Sequence, residues 1–226
     1  MNPTILDQFL FIALPYVCIF TFFLMTIYRY RTQAFSFSSL SSQFLENKQH
    51  FWTVVPFHYG ILAVTAGHLI AFATPRTILL WNSQPLRLYI LEISALVCGL
   101  LTLIGLVGLI IRRASSPRIR VVTSINDWIL FAILLVQVAS GVGMALFYPW
   151  GSSWFASNLS PYLWSILEFN PEISYVTSMP HLVKLHILLA FITIGYFPFT
   201  RLVHLLVVPN PYLWRKIQVV RWYGRK

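Results

Sequence analysis

Charged residues are scarce in this chain of 226 residues. They make up 10% of it, whereas hydrophobic residues make up 58%. An ordinary soluble domain carries about a quarter charged residues, so the composition excludes that class. Apolar runs of eighteen or more residues recur, which is typical of transmembrane helices. In such a chain the net charge of +10 reports membrane orientation rather than a nucleic-acid partner. We therefore expect a multi-pass membrane protein surrounded by lipid.

Cysteine is almost absent. Cys18 and Cys98 are the two cysteines, and both lie inside apolar runs. No CxxC or CxxCH sequence occurs, so nothing indicates an iron–sulfur cluster, a structural zinc site or a covalently attached c-type haem. We expect both cysteines to be small buried hydrophobic residues.

Five apolar stretches are long enough to cross a hydrocarbon core of about 30 Å at about 1.5 Å per residue. They predict an all-α fold with a single membrane domain over residues 1–226. The five transmembrane helices and the short basic tail are expected at about 5–27, 52–73, 89–111, 125–148, 182–207 and 208–226. After the fourth stretch, "WFASNLSPYLWSIL" predicts a short helix lying along the membrane surface.

The distribution of basic residues predicts the orientation of these helices. Segments 28–51, 112–124 and 208–226 together carry twelve lysines and arginines, whereas the opposite side carries only Arg76 and Arg87. Because cytoplasmic loops are enriched in lysine and arginine, the N-terminus is expected outside and the C-terminus in the cytoplasm.

Four of the six histidines lie inside predicted spans. His58 and His68 are on the second helix, and His186 and His204 are on the fifth. A lone intramembrane histidine commonly bonds to a neighbouring helix. Four histidines on two helices indicate a functional site, because intramembrane ionisable residues are functional by default and imidazole ligates haem iron. The helices run in opposite directions, so matching by depth pairs His68 with His186 and His58 with His204. Each pair can hold one haem b.

The spacing of the histidines complicates this pairing. Eighteen residues on the fifth helix make five turns and about 27 Å, whereas ten residues on the second helix make about 15 Å and leave the rings about 80° apart. Helix tilt or a kink must absorb the difference, and Pro198 in "GYFPFT" offers a kink between His186 and His204.

Other classes of membrane protein use buried histidines as well. A proton-relay transporter more often shows embedded acidic residues and inverted repeats. Here Glu92 and Asp127 fall at helix ends, where we expect them to be solvated. A membrane enzyme with two metal ions would carry HxxxH-like clusters, which are missing. A non-redox anchor stays open but leaves four histidines unexplained.

Three motifs resemble the gamma subunit of respiratory nitrate reductase, a di-haem cytochrome b that anchors its complex in the cell membrane. They are PFHxGxxxxxxGH, RRxxSPRxR and RLVHLxxVPxxYLxRK, which begin at Pro56, Arg112 and Arg201. The similarity extends over nearly the whole chain in the same order.

The resemblance implies two non-covalent haems b and their ligands. His68 and His186 would hold a distal haem near the outer face, and His58 and His204 a proximal haem near the cytoplasm. Arg113 and Arg201 match family positions near the proximal haem, where a guanidinium pairs with propionates. The implied partners are an iron–sulfur (beta) subunit and a molybdenum-containing catalytic (alpha) subunit on the cytoplasmic side.

The resemblance also implies a quinol site beside the distal haem. Gly67 and His68 match the family directly, and the basic position falls on Arg87 after a one-residue gap in the loop, where a member of the family has lysine. The expected function is quinol oxidation near the outer face, with electrons passing inward to a nitrate reductase and protons released outside. The alternatives are the same fold serving a related molybdenum oxidoreductase that acts on chlorate, sulfur compounds or nitrite, or a non-redox anchor or transporter.

Overall fold

Lipid offers no hydrogen bonds, so the apolar segments of this chain must satisfy their own backbone groups as helices. A computed structural model of the protein describes residues 4–38, 45 and 50–207, and within them all regular structure is helical. Five of the described helices are long and apolar enough to cross a membrane. This confirms the predicted all-α membrane fold. The predicted basic tail 208–226 lies outside the described residues.

The long helices begin and end close to the predicted bounds. They are α1 (Ile5–Thr32, with a π-helical turn at Phe9–Ala13), α2 (His50–Ala73), α3 (Pro85–Ser115), α4 (Ile125–Phe147) and α5 (His181–Tyr196). The shorter helical segments are Ala34–Ser36, Pro75–Asn82, Pro117–Val121, Gly151–Trp154, Phe155–Leu159, Ser160–Leu167, Ser174–Thr177, Phe197–Phe199 and Arg201–Leu206. Proline is the first residue of α3 and of the short helices Pro75–Asn82 and Pro117–Val121, a position where its missing N–H costs nothing.

The long helices pack side by side in the order α2, α3, α4, α5, α1. The backbones of α2 and α3 approach closely. A Cβ atom added at Gly105 would overlap the backbone of Phe57, and one added at Gly60 would overlap Thr102. Small residues allow such crossings in membrane bundles. In this order α5 packs against α4 and α1, and α2 packs against α3. The helix that carries His58 and His68 and the helix that carries His186 are therefore not packed against each other.

Most of the apolar surface of the helices points outward. Ile93, Ile104 and Ile111 on α3, for example, are all more than half exposed on the protein surface. The interior holds two smaller apolar clusters, one between α3 and α4 around Leu106 and one that includes Phe11 and Tyr162. A surface of this kind is stable only where lipid covers it.

Residues 148–180 close one end of the bundle, which we call the long-loop end. The predicted helix in "WFASNLSPYLWSIL" is confirmed, as three consecutive helical segments between Gly151 and Leu167. Its Ser160 Oγ donates to the carbonyl of Ala71 at 3.0 Å, and its Trp164 Nε1 donates to that of Phe72 at 3.1 Å. These bonds satisfy the last carbonyls of α2.

The opposite end, which holds residues 113–124, is the short-loop end, and near it the fifth span breaks. The helix α5 ends at Tyr196, a 3₁₀ turn follows at Phe197–Phe199, Thr200 is extended, and a second 3₁₀ segment runs from Arg201 to Leu206. The sequence predicted one helix over 182–207 with a kink at Pro198. The structure has a break instead, because proline supplies no N–H to continue the helix.

Arg29 of α1 satisfies the carbonyls that this break exposes. Its Nη1 donates to the carbonyl oxygens of Pro198 at 2.6 Å and Thr200 at 2.9 Å. Irregular backbone at membrane depth is tolerated where other parts of the protein complete its hydrogen bonds. The segment that carries His204 is therefore held by side chains from other helices.

Candidate functional site

The structure brings His68 of α2 and His186 of α5 together at the long-loop end. Their ring centres lie 6.4 Å apart, and the ring planes are inclined by 32°. The edge of Phe155, from the helical long loop, contacts His68 with its ring centre 5.3 Å away. Two imidazoles thus face each other across a space between helices that are not packed together.

The separation of the two rings suits a shared metal ion. A metal–imidazole bond is about 2 Å long, so an ion bound by both rings would hold their centres about 6 Å apart. Among the described residues no group of three or more His, Cys, Asp and Glu side chains could hold a metal ion. Haem iron needs only two axial ligands from the protein, so a pair is a sufficient donor set.

Hydrogen bonds fix the tautomer of all four intramembrane histidines. In each ring Nδ1 has an oxygen partner: Val54 O at 2.8 Å for His58, Val64 O at 2.8 Å for His68, Ser140 Oγ at 3.0 Å for His186 and Arg201 O at 2.6 Å for His204. A carbonyl oxygen only accepts, so three of the Nδ1 atoms must donate. Each Nε2 then keeps its lone pair, which is the form that ligates a metal.

His186 reaches the same tautomer through Ser140 of α4. The Ser140 hydroxyl donates to the carbonyl of Gln137 at 2.9 Å, so its oxygen accepts the Nδ1 proton of His186. A Cβ added at Gly141 would lie 3.0 Å from Cε1 of His186. Glycine at this position therefore lets the ring lie directly against α4.

Gln137 lies on the ligating side of the same ring. Its Nε2 is 3.2 Å from Nε2 of His186, while its Oε1 is buried with no hydrogen-bond partner in the described part of the chain. A metal ion and Gln137 would compete for one lone pair, so Gln137 must turn away when an ion binds. The sequence analysis missed both Gln137 and Ser140. Two polar residues one helical turn apart within an apolar run were the available signal.

His58 and His204 lie nearer the short-loop end. His58 is an exposed residue of α2 whose ring meets Phe57 edge-on, with 5.4 Å between ring centres. His204 is partly buried in the 3₁₀ segment Arg201–Leu206. Among the described residues no ring contact like that of His68 and His186 joins these two, so their pairing stays a prediction.

A buried ion cluster lies beside His204. Asp127, only 5% exposed, accepts from Nη2 of Arg201 at 2.7 Å, and Nη1 of Arg113 lies 3.9 Å from the same carboxylate oxygen. The expectation that Asp127 is solvated is wrong, because the break in the fifth span turns Arg201 toward the first turn of α4. Glu92 is partly buried and accepts from the backbone N–H and hydroxyl of Ser152, at 2.8 and 2.6 Å.

Arg113 has an unused donor suited to an anionic group. Its Nη1 donates to Thr123 Oγ1 at 3.0 Å, while its Nε is buried without a partner among the described residues. A carboxylate such as a haem propionate would satisfy this orphaned donor. Arg113 and Arg201 therefore lie at one end of the bundle and both face Asp127, while their pairing with the propionates of a proximal haem stays a prediction.

The predicted quinol-site residues lie near the long-loop end. Gly67 borders open space, because a Cβ there would meet nothing within 4 Å. Arg87 is exposed in the first turn of α3, where its guanidinium lies 5.4 Å from the ring centre of Trp81. No recorded contact joins Arg87 to His68 in the described structure, so its membership of one site with Gly67 and His68 stays a prediction.

The fold and the site define a class of protein, a five-helix membrane protein with facing intramembrane histidines on non-adjacent helices. Comparison with known proteins specifies the family. The chain belongs to the nitrate reductase gamma subunit family, whose model matches residues 7–223.

Curated relatives match nearly end to end. The chain is 34% identical to the respiratory nitrate reductase 2 gamma chain of Escherichia coli (strain K12) over 225 residues, covering 96% of this chain and 97% of the relative. It is 32% identical to the nitrate reductase gamma chain of Bacillus subtilis (strain 168) over 218 residues, covering 95% and 97%.

Removing the Ser140 hydroxyl tests the tautomer of His186. In Ser140→Ala the Nδ1 proton loses its acceptor, so we expect the ¹⁵N signals of His186 to move toward a mixture of tautomers in solid-state NMR of the haem-free chain. His58, His68 and His204 bond to backbone carbonyls and serve as internal controls. An unchanged His186 spectrum would show that Ser140 does not fix this ring.

Proposed function

We propose that the chain is the quinol-oxidising cytochrome b subunit of a membrane-bound nitrate reductase. The observation that carries the proposal is the 6.4 Å separation of the His68 and His186 rings between helices that do not pack together. We take the long-loop end as the outer face of the cytoplasmic membrane, with the N-terminus outside and the C-terminus inside. The membership of the chain in the gamma subunit family supports this assignment.

In this proposal Nε2 of His68 and of His186 would hold the iron of an outer haem b, and Nε2 of His58 and of His204 would hold that of an inner one. The hydrogen bonds on Nδ1 orient the rings and raise their basicity as ligands. Arg113 Nε and the Arg201 guanidinium provide donors for the propionates of the inner haem. When bound, the haems would carry electrons singly across the membrane.

Quinol is the proposed electron donor, at a site formed by Gly67, His68 and Arg87. Oxidation of one quinol to quinone releases two electrons and two protons. His68 has no free nitrogen to act as a base, since Nδ1–H is donated to Val64 and Nε2 binds iron. A guanidinium group offers hydrogen-bond donors and no acceptor, so the proposed role of Arg87 is to donate a hydrogen bond to a quinone oxygen. In this proposal the protons are released to the outer solution, which contributes to the proton-motive force.

The sequence has no CxxC motif, and the described residues include no group of three or more metal-ligating side chains, so in this proposal the electrons leave to partner subunits. We propose an iron–sulfur subunit and a molybdenum-containing catalytic subunit on the cytoplasmic side. The relatives' own names describe gamma chains of nitrate reductases. The subunits that co-purify with the tagged chain identify the acceptor, and a related molybdenum enzyme in place of a nitrate reductase would correct that part of the proposal.

Alanine substitution of single ligands tests the two haem sites. We expect His186→Ala to lose the outer haem and all quinol oxidation, and His204→Ala to lose the inner haem, because each iron loses one of two axial ligands. Reduced-minus-oxidised spectra and redox titration of the purified complex measure both effects.

His181→Ala is the matched control, since His181 is an exposed histidine at the start of α5. It should keep both haems. A wild-type complex without a b-type alpha band, or four ligand variants that retain two haems, would contradict the assignment.

Substitution of Arg87 tests the quinol site separately from the haems. In Arg87→Ala we expect quinol oxidation to fall about tenfold or more with both haem spectra intact, since a charge-assisted hydrogen bond contributes about 1.5–3 kcal/mol. Arg76→Ala, a second exposed arginine on the same side, is the control. Kinetics of Arg87→Ala that match those of the control would remove Arg87 from the site.

A further inference from the structure

We propose that Asp127 is a positioning residue for the inner haem site, an inference that rests on the proposed function. Its carboxylate holds the Arg201 guanidinium at 2.7 Å, and the backbone carbonyl of Arg201 accepts the Nδ1 proton of His204 at 2.6 Å. One residue thus links a buried carboxylate on α4 to the ring that ligates the inner iron.

The segment that carries His204 needs such support because it is not part of a continuous helix. Thr200 is extended, and Arg201–Leu206 is a 3₁₀ segment with poorer hydrogen-bond geometry than an α-helix. Arg29 holds the chain before this segment through the carbonyls of Pro198 and Thr200. Within the segment itself, the side chain of Arg201 reaches Asp127 in the first turn of α4 and the carbonyl of Val122 in the loop before it. Asp127 therefore fixes the position of Arg201 and, through it, the direction of the His204 ring.

The charge of Asp127 also acts on the inner site. The carboxylate of Asp127 faces the guanidinium groups of Arg113 and Arg201, and the buried Arg112 acts on Arg113 as a further positive charge. Without the carboxylate the net positive charge rises by one unit, in a poorly solvated region where charges interact strongly. Added positive charge disfavours the oxidised iron, so the midpoint potential of the inner haem rises.

Asp127 has a second structural role that the test must separate. Its carboxylate accepts from the backbone N–H of Ser124 at 2.9 Å, and the Ser124 hydroxyl accepts from the backbone N–H of Asp127 at 3.2 Å. This capping box stabilises the start of α4. Ser124→Ala weakens the cap and leaves the ion pair of Asp127 with Arg201 in place.

The test is a spectroelectrochemical titration of the purified complex with Asp127→Asn. Asparagine keeps an acceptor for the Ser124 N–H but removes the charge. We expect the midpoint potential of the inner haem to rise beyond the scatter of replicate titrations, while that of the outer haem stays at the wild-type value. Loss of the inner haem alone would support the proposal as well. The His204→Ala variant, which is expected to lack the inner haem, shows which of the two titration steps belongs to the inner haem and which to the outer haem.

Four further variants decide the cause. Ser124→Ala and Glu92→Gln, which removes the carboxylate near the long-loop end, should leave the inner midpoint unchanged, and Asp127→Glu should restore the wild-type value. Arg201→Gln removes the opposite charge, so the inner midpoint should fall. It also carries the test if Asp127→Asn does not accumulate.

Three outcomes overturn the inference. One is an inner haem in Asp127→Asn with wild-type content and midpoint, and a second is an equal shift in Ser124→Ala. An unchanged inner midpoint in Arg201→Gln would overturn it as well. A wild-type complex without haem would be a different result, because it contradicts the proposed function itself.

Discussion

An imidazole inside a membrane must find partners for both ring nitrogens, and this constraint governs the arrangement of the bundle. In each of the four intramembrane histidines, Nδ1 forms a hydrogen bond with an oxygen of its own helical segment or of α4. This leaves Nε2 as the ligating atom. An unpartnered polar group in hydrocarbon costs several kcal/mol. Nε2 of His186 has Gln137 as a hydrogen-bond partner, and an ion bound in the space between α2 and α5 would give Nε2 of His186 and of His68 a shared partner instead.

The separation of α2 from α5 follows from how the other helices pack. Close glycine contacts join α2 to α3, and a Cβ at Gly195 would lie 3.0 Å from the sulfur of Cys18, which shows how closely α5 approaches α1. Apolar packing joins α3 to α4 through the cluster around Leu106. The long loop then spans from α2 to α1, since Tyr162 donates to the carbonyl of Phe11 at 2.8 Å. Burial raises the pKa of the Tyr162 phenol, which therefore stays neutral as a donor.

Hydropathy, motifs and helix direction predicted the five spans and the approach of His68 to His186, because these depend on residue type and spacing along one chain. The support around the histidines was not predictable in the same way. Ser140 and Gln137 act on His186 only because α4 lies beside α5. Asp127 resembles a solvated helix start in the sequence, and it is buried because the break at Pro198 brings Arg201 to it. Contacts between helices of this kind depend on tertiary packing, which local patterns do not encode.

The central claim is that four histidines, on α2, on α5 and on the 3₁₀ segment that follows α5, hold two haems at different depths of the membrane. Haem stoichiometry tests it most directly, measured as the pyridine haemochrome of the purified complex against the amount of this chain from quantitative amino-acid analysis. The account predicts two b-type haems per chain. One haem per chain, or none, would contradict it.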